Sequence, residues 1–205
     1  MKLVRSLCAA RDLLKYPGKV LEVGSLNVNG SYRELFKHPE RYTGIDHEHG
    51  PGVDLEADLH SDFVQLLADG ALPADLLLCG QVLEHDPRPW YTAPAMVRAV
   101  AEVRGTVILV APWRFPYHHP PDFWRFSPMG LAELLRYGLE CVPTRRCPPH
   151  YVVSHGWSVL RRGELEIGSG EPPDVAGVDS WAVLEQIGHA KSYGSVHSPP
   201  PGGAQ

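Results

Sequence analysis

Apolar residues fall into short runs separated by amphipathic stretches, and this alternation sets the expected fold. Val20, Leu21 and Val23 form a short, partly β-branched run that suits a buried strand. Gly24 then permits a tight turn, and Asn27, Asn29 and Gly30 extend it as a loop tolerant of unusual φ/ψ. Ser31 stands at an N-cap position, because Tyr32, Leu35 and Phe36 follow at helical spacing. Upstream, Leu3, Val4, Leu7, Cys8 and Leu14 make a helical stripe that Pro17 and Gly18 stop.

The pattern repeats downstream. Residues 42–46 read as a second strand ending in Asp46, and residues 47–52 as a loop. Residues 53–58 alternate and predict a third strand, followed by Phe63, Leu66 and Leu67 on one face of a short helix. Residues 74–79 predict a fourth strand, buried on both faces as parallel strands are, which runs into a loop over 80–87. Met96, Val97, Val100 and Val103 form a helical stripe starting near Thr92, with Pro94 in its first turn. Residues 106–110 give the clearest strand, ended by Pro112.

Residues 113–126 are dense in aromatics, prolines and histidines and predict a structured loop. Ser127 and Pro128 then open a helix faced by Leu131, Leu134 and Leu135, with Gly138 as its C′ residue. Residues 139–142 and 152–160 are expected as final, antiparallel strands. From Gly168 the composition shifts to Gly, Pro and Ser, and only 181–187 has a helical look. The division is therefore a domain over 1–167 and a partly disordered tail over 168–205.

Composition narrows the function classes. A chain of 205 residues, 43% hydrophobic, predicts one globular domain with room for an appendage. Its formal net charge of −5 argues against a general nucleic-acid or membrane-surface binder. Cys8, Cys79, Cys141 and Cys147 show no C-x-x-C pairing, so reduced thiols are expected. Charged residues interrupt the first fourteen positions, and no apolar run approaches the roughly 18 residues of a membrane span. A cytoplasmic protein is expected.

Strands alternating with helices indicate a Rossmann-like, doubly wound α/β sheet with helices on both faces. About seven strands are expected, mostly parallel, with the last one antiparallel. Ligands bind such sheets beyond the carboxyl ends of the strands. A dinucleotide is disfavoured, since Leu26 and Asn29 stand where G-x-G-x-x-G needs its second and third glycines.

Four features in order resemble the class I S-adenosylmethionine-dependent methyltransferases over roughly residues 20–160. They are Glu22 two residues before Gly24, Asp46 at the second strand's end, Asp58 after the third, and Gln81-Val82-Leu83-Glu84-His85 after the fourth. Phe123-Trp124-Arg125-Phe126-Ser127-Pro128 is similar to a W-R-F-x-P signature of one subgroup. Leu26 departs from the commonest first motif, E/D-x-G-x-G.

The resemblance implies S-adenosylmethionine as cofactor and S-adenosylhomocysteine as product. It assigns ribose to Asp46, the adenine edge to Asp58, and the methionine moiety to Glu22 and Gly24. Ser25, His47, Leu59 and Gln81 complete the expected cofactor set. A strand-end carboxylate suits a diol, because charge-assisted hydrogen bonds to it are strong. The methyl group is already activated, so the protein needs to align a nucleophile and take its proton.

His85, His118, His119 and Asp122 are the candidate bases. Trp124 and Arg125 are read as locking their loop, through an Arg–carboxylate pair or stacking. A metal held by His47, Glu48 and His49 with His118 and His119 is the rival reading, and no metal is expected. The expected activity is methyl transfer to a small-molecule or glycan acceptor, on oxygen, with the aromatics of 113–126 as the acceptor lid. A nucleic-acid substrate is not expected, because Pro120-Pro121-Asp122-Phe123 only echoes the motif for a flipped base. The alternative is a catalytically silent domain that binds cofactor or a partner.

Overall fold

The computed structural model describes residues 1–9, 12–15, 18–63, 66, 72–101, 105–141, 164–169 and 178–185. Five strands form a parallel sheet: β1 (Val20–Val23), β2 (Tyr42–Asp46), β3 (Leu55–Glu56), β4 (Leu76–Gly80) and β5 (Thr106–Arg114). Their order is β3-β2-β1-β4-β5. The sheet continues through β7 (Val178–Glu185), antiparallel to β5, and β6 (Glu164–Ser169) at its edge. Among the described residues, α-helices with defined bounds are α1 (Lys2–Ala9), α2 (Pro89–Ala101) and α3 (Pro128–Cys141). Residues 62–63 and 66 are helical, as expected there, next to residues outside the described set.

Strand periodicity divides the core in two. Leu21, Val23, Leu77, Cys79, Val107 and Leu109 face Met96, Val97 and Val100 of α2 and Leu131 and Leu135 of α3. The alternate residues Val20, Leu76, Leu78, Ile108 and Val110 face Val4, Leu7 and Cys8 of α1, with Leu35, Phe36 and Tyr42. Both faces of β4 are thus covered, as a parallel strand requires. Each fully buried Leu contributes about 1.5–3 kcal/mol of transfer free energy. Glu22 shares the face of Val20, so an acid stands where the pattern calls for an apolar residue.

Several elements differ from the sequence expectation, each for a local reason. Ser31 does cap a helix, accepting the Arg33 N–H, but the turn over Tyr32–Leu35 is a short 3₁₀ helix. The third strand keeps only Leu55–Glu56, because Asp54 accepts the Gly44 N–H and Asp58 ties up the following turn. Pro112 does not end β5, which runs on to Arg114 with an irregularity at that point in its pairing with β7. A proline is tolerated where the ladder is already interrupted.

α2 begins at Pro89, so Pro94 lies beyond the first turn and leaves the Trp90 carbonyl without its helical donor. Gly138 does not end α3, which continues through Cys141, so the strand expected from residue 139 is helical there. The segment expected to look helical near 181–187 is strand β7 over Val178–Glu185. The boundary drawn at 167/168 falls inside β6. The strand expected over 152–160 lies outside the described residues. Cys8 and Cys79 are buried free thiols.

Parallel strands point their carboxyl ends the same way. Gly24, Asp46 and Gln81, with the loops after β4 and β5, therefore gather at one edge of the sheet. A cleft lined by Lys19, Glu40, Arg41 and Ala74 lies at the opposite, amino-terminal ends of β1 and β2.

Candidate functional site

The loop after β1 is built on Gly24. Its φ of +77° is costly for any other residue, and an added Cβ would lie 2.1 Å from Val82 Cγ2. The N–H groups of Gly24 and Ser25 both reach the Ile45 carbonyl, at 2.8 and 3.1 Å, and bind the loop to β2. Ser25 is buried, and its hydroxyl has no hydrogen-bond partner within the protein.

Asp46 closes this loop from the other side. Its Oδ2 accepts the Leu26 N–H at 2.9 Å, and its Oδ1 accepts the Glu48 N–H at 3.3 Å. His47 Nδ1 lies 2.9 Å from Oδ1, although the imidazole itself is largely exposed. A carboxylate offers about four lone-pair directions, so these bonds leave acceptor capacity in hand. The side chain of Leu26 lies against Gly50, where any Cβ would meet its Cδ1 at 2.4 Å.

Beneath the loop is a buried polar cluster. Tyr42 donates its hydroxyl to Glu22 Oε2 at 2.6 Å. Burial raises the Glu22 carboxyl to about 7, against the opposing pull of the Tyr42 hydrogen bond and Arg33. The Tyr42 phenol is in turn pushed above its ordinary value by burial and by the Glu22 charge. Arg33 lies over the Tyr42 ring, 4.7 Å from its centroid, and pairs with the Asp54 carboxylate. Asp54 Oδ2 also accepts the Gly44 N–H at 2.7 Å.

Asp58 organises the next loop. Its Oδ1 accepts from the N–H of His60 at 2.9 Å, the N–H of Ser61 at 3.0 Å and the Ser61 hydroxyl at 3.1 Å. Those bonds, the His60 N–H foremost, hold its carboxyl below the usual range. Leu59 beside it is half-buried against the core.

The loop after β4 opens with Gln81 at φ +60°, its N–H bonded to the Val110 carbonyl at 2.9 Å. Glu84, fully buried, follows. Its carbonyl accepts the N–H groups of Phe123, at 2.7 Å, and Trp124, at 3.3 Å, which docks the 113–127 loop onto it. Asp86 is a second tie, taking the Thr92 hydroxyl at 2.5 Å, the Arg88 N–H at 2.8 Å and a His60 Nε2 contact at 2.7 Å. Its carbonyl accepts Trp124 Nε1 at 2.7 Å.

Within the 113–127 loop Arg125 binds both oxygens of Asp122, at 2.5 and 2.6 Å, and the carbonyls of Phe115, Pro116 and Trp124. This guanidinium holds the Asp122 carboxyl well below the usual carboxylate range. Asp122, expected as a candidate base, is here engaged on both oxygens by Arg125. It accepts the His118 N–H at 2.8 Å and lies 3.3 Å from His118 Nδ1. His85 Nδ1 lies 2.5 Å from the Pro121 carbonyl. The His85 and His118 rings meet edge to face at 5.3 Å, and Phe115 flanks His118 at 5.3 Å. His119 is exposed and touches this group only through the edge of His118.

No protein-family model matches the chain, and no curated protein sequence matches it. Solved structures do. The Burkholderia thailandensis 1,6-didemethyltoxoflavin-N1-methyltransferase, solved with 1,6-didemethyltoxoflavin and S-adenosylhomocysteine, is similar at a TM-score of 0.56 and 12% identity, over 90% of this chain and 76% of that one. The trans-methyltransferase CalH, in complex with S-adenosylhomocysteine, is similar at 0.53 and 14% identity, over 90% of this chain and 55% of that one. A small RNA methyltransferase matches at 0.54 and 11% identity, over 92% of this chain and 25% of that one. The chain has the class I methyltransferase fold.

Within this methyltransferase fold, the residues singled out in the sequence form two groups. Gly24, Ser25, Asp46 and His47 meet at the β1–β2 end, with Glu22 below them and Asp58 and Leu59 on the neighbouring loop. His85 and His118 meet beyond β4 and β5, with His119 at the outer edge of His118, while His47 and His49 make no ring contact with them among the described residues. Sequence reasoning gave no role to Glu84, Asp86, His60, Arg33 or Asp54. Only Glu84 carried a signal, as an acid beside a histidine in a strand-end loop.

Proposed function

We propose that this protein is an S-adenosylmethionine-dependent methyltransferase acting on oxygen of a small-molecule or glycan acceptor in the cytoplasm. The observation that carries the reading is Asp46, a nearly buried carboxylate at the end of β2, facing the Gly24 loop across the carboxyl edge of this sheet. The residues fit the cofactor. Asp46 would take the ribose hydroxyls, Gly24 and the unpartnered hydroxyl of Ser25 the methionine moiety, and Asp58 with Leu59 the adenine edge. His47 and Gln81 stand at the ends of β2 and β4 on the same edge of the sheet. Glu22 would act from below, fixing β1 to β2 through Tyr42.

When bound, the sulfonium supplies an activated methyl group, which an acceptor oxygen displaces in line. The chain's own contribution is alignment and proton removal. His85 and His118 both turn Nε2 toward Glu84, and either nitrogen can take the acceptor's proton there. His119, exposed beside His118, is the outer candidate for a base or a substrate contact. Exposed rings of Phe115, Tyr117 and Phe123 on the same loop offer flat apolar faces to a sugar or ring. The negative formal charge of −5 supports such an acceptor over a nucleic acid.

One observation favours a silent, binding-only domain instead. Leu26 donates its N–H to Asp46 Oδ2 and packs on Gly50, which takes up acceptor capacity of the carboxylate assigned to ribose. Transfer of a labelled methyl group to a panel of hydroxylated aromatics and sugars separates the two readings. Label in product supports the enzyme, and cofactor binding with no turnover on any acceptor supports the silent domain.

A further inference from the structure

We propose that Glu84, His85 and His118 form a binding site for a divalent first-row transition ion of the zinc type. One carboxylate oxygen and two imidazole nitrogens from these residues lie within 4.8 Å of one another. Glu84 Oε1 stands 3.6 Å from His85 Nε2 and 3.8 Å from His118 Nε2. Both gaps are too long for hydrogen bonds. They approach the separation of two ligands on one ion, which is about 3.4 Å for bonds of about 2.1 Å at the tetrahedral angle.

The outer contacts orient both rings for this task. The Pro121 carbonyl can only accept, so its contact with His85 Nδ1 places the proton there and leaves the lone pair on Nε2. Asp122, held by Arg125, fixes His118 through its backbone N–H at 2.8 Å, with the carboxylate 3.3 Å and the guanidinium 3.5 Å from Nδ1, and the ring turns its Nε2 to Glu84. Metal-bound histidines characteristically carry a second hydrogen bond of the kind His85 makes to the Pro121 carbonyl. Glu84 is fully buried, and a carboxylate in that position gains most from a nearby positive charge. The bonds from Phe123 and Trp124 to the Glu84 carbonyl hold the two ligand-bearing loops together.

The donor set selects the ion. Two imidazoles with one carboxylate suit zinc, cobalt, iron or manganese better than magnesium or calcium, which prefer oxygen. With the ion bound, the two Nε2 atoms are ligands and no longer bases. Three protein ligands leave a position open for an oxygen of water or acceptor, which the ion would acidify so that its proton passes to solvent instead of to a histidine. That last role rests on the methyltransferase reading. Holding the ion does not.

The test uses the full chain, stripped with chelator and titrated with Co²⁺ followed by visible absorption and with Zn²⁺ and Mn²⁺ by calorimetry, all without S-adenosylmethionine. The expected result is saturable binding of one ion per chain, weakened at least tenfold by His118→Ala and by His85→Ala. The double variant His47→Ala/His49→Ala should bind as the wild type does. His118 is only half-buried, so His118→Ala gives a folded comparison even if Glu84→Gln does not. A folded wild type that binds none of these ions overturns the proposal. So does binding that survives loss of His118 and His85. Cofactor binding by the stripped protein, measured separately, keeps the failure of this site distinct from failure of the methyltransferase reading.

Discussion

Arg125 grips Asp122 through both carboxylate oxygens, at 2.5 and 2.6 Å, and Asp122 in turn accepts the backbone N–H of His118. A planar fork therefore sets the direction of an imidazole seven residues earlier in the chain. Lysine carries the same charge but cannot make the paired bonds or reach three carbonyls at once. Arg125→Lys should lower the melting temperature by a few degrees and make the 113–127 loop easier to cleave by limited proteolysis. Asp122→Ala should weaken Co²⁺ binding roughly tenfold, the effect typical of losing an outer partner that positions a metal ligand, here through the backbone N–H of His118. An unchanged cleavage rate in Arg125→Lys would mean that the fork does not hold the loop.

Glu22 predicts a pH dependence. Its folded-state carboxyl titrates near 7 against an ordinary value of 4.5, so the folded chain holds a proton that the unfolded chain has lost across that window. Stability should therefore fall as pH rises from about 4.5 to about 7, by an amount of order 3 kcal/mol. Glu22→Gln should remove that slope, read from urea midpoints measured across the window. Tyr42→Phe should cost about 1–3 kcal/mol above pH 7, where it strands a buried carboxylate, and less below.

Gly24 predicts a two-part penalty. Gly24→Ala places a methyl 2.1 Å from Val82 Cγ2 and forces φ +77° on an L side chain. The backbone term alone is worth about 1–2 kcal/mol. Val82→Ala in the same chain should relieve the contact but not the backbone strain, so the double variant should recover only part of the loss. Full recovery of the denaturation midpoint would contradict the backbone term.

Much of the fold was legible because β4 and the first half of β5 are apolar on both faces, and β1 departs from that only at Glu22. Leu76, Leu77 and Leu78 leave few alternatives to a central strand. β7 was not legible, since Trp181, Val183 and Leu184 fit both a helical and an extended period, and its pairing with β5 is a long-range event. The 3₁₀ turn after Ser31 was missed because capping chemistry marks where a helix starts and says nothing of its length. At the site, Gly24 and Asp46 announce themselves as a strand-end glycine and a strand-end acid. The meeting of Glu84 with His118 does not, because β5 and its loop bring them together and no local pattern marks the pair. The same holds for Asp86 with His60, and for Arg33 with Asp54.

The central claim is tested most directly by calorimetry of S-adenosylmethionine and S-adenosylhomocysteine binding to the wild type and to Asp46→Ala. Micromolar binding by the wild type is expected, weakened at least tenfold, or roughly 1.4 kcal/mol, in the variant. A folded wild type that binds neither compound would contradict the account.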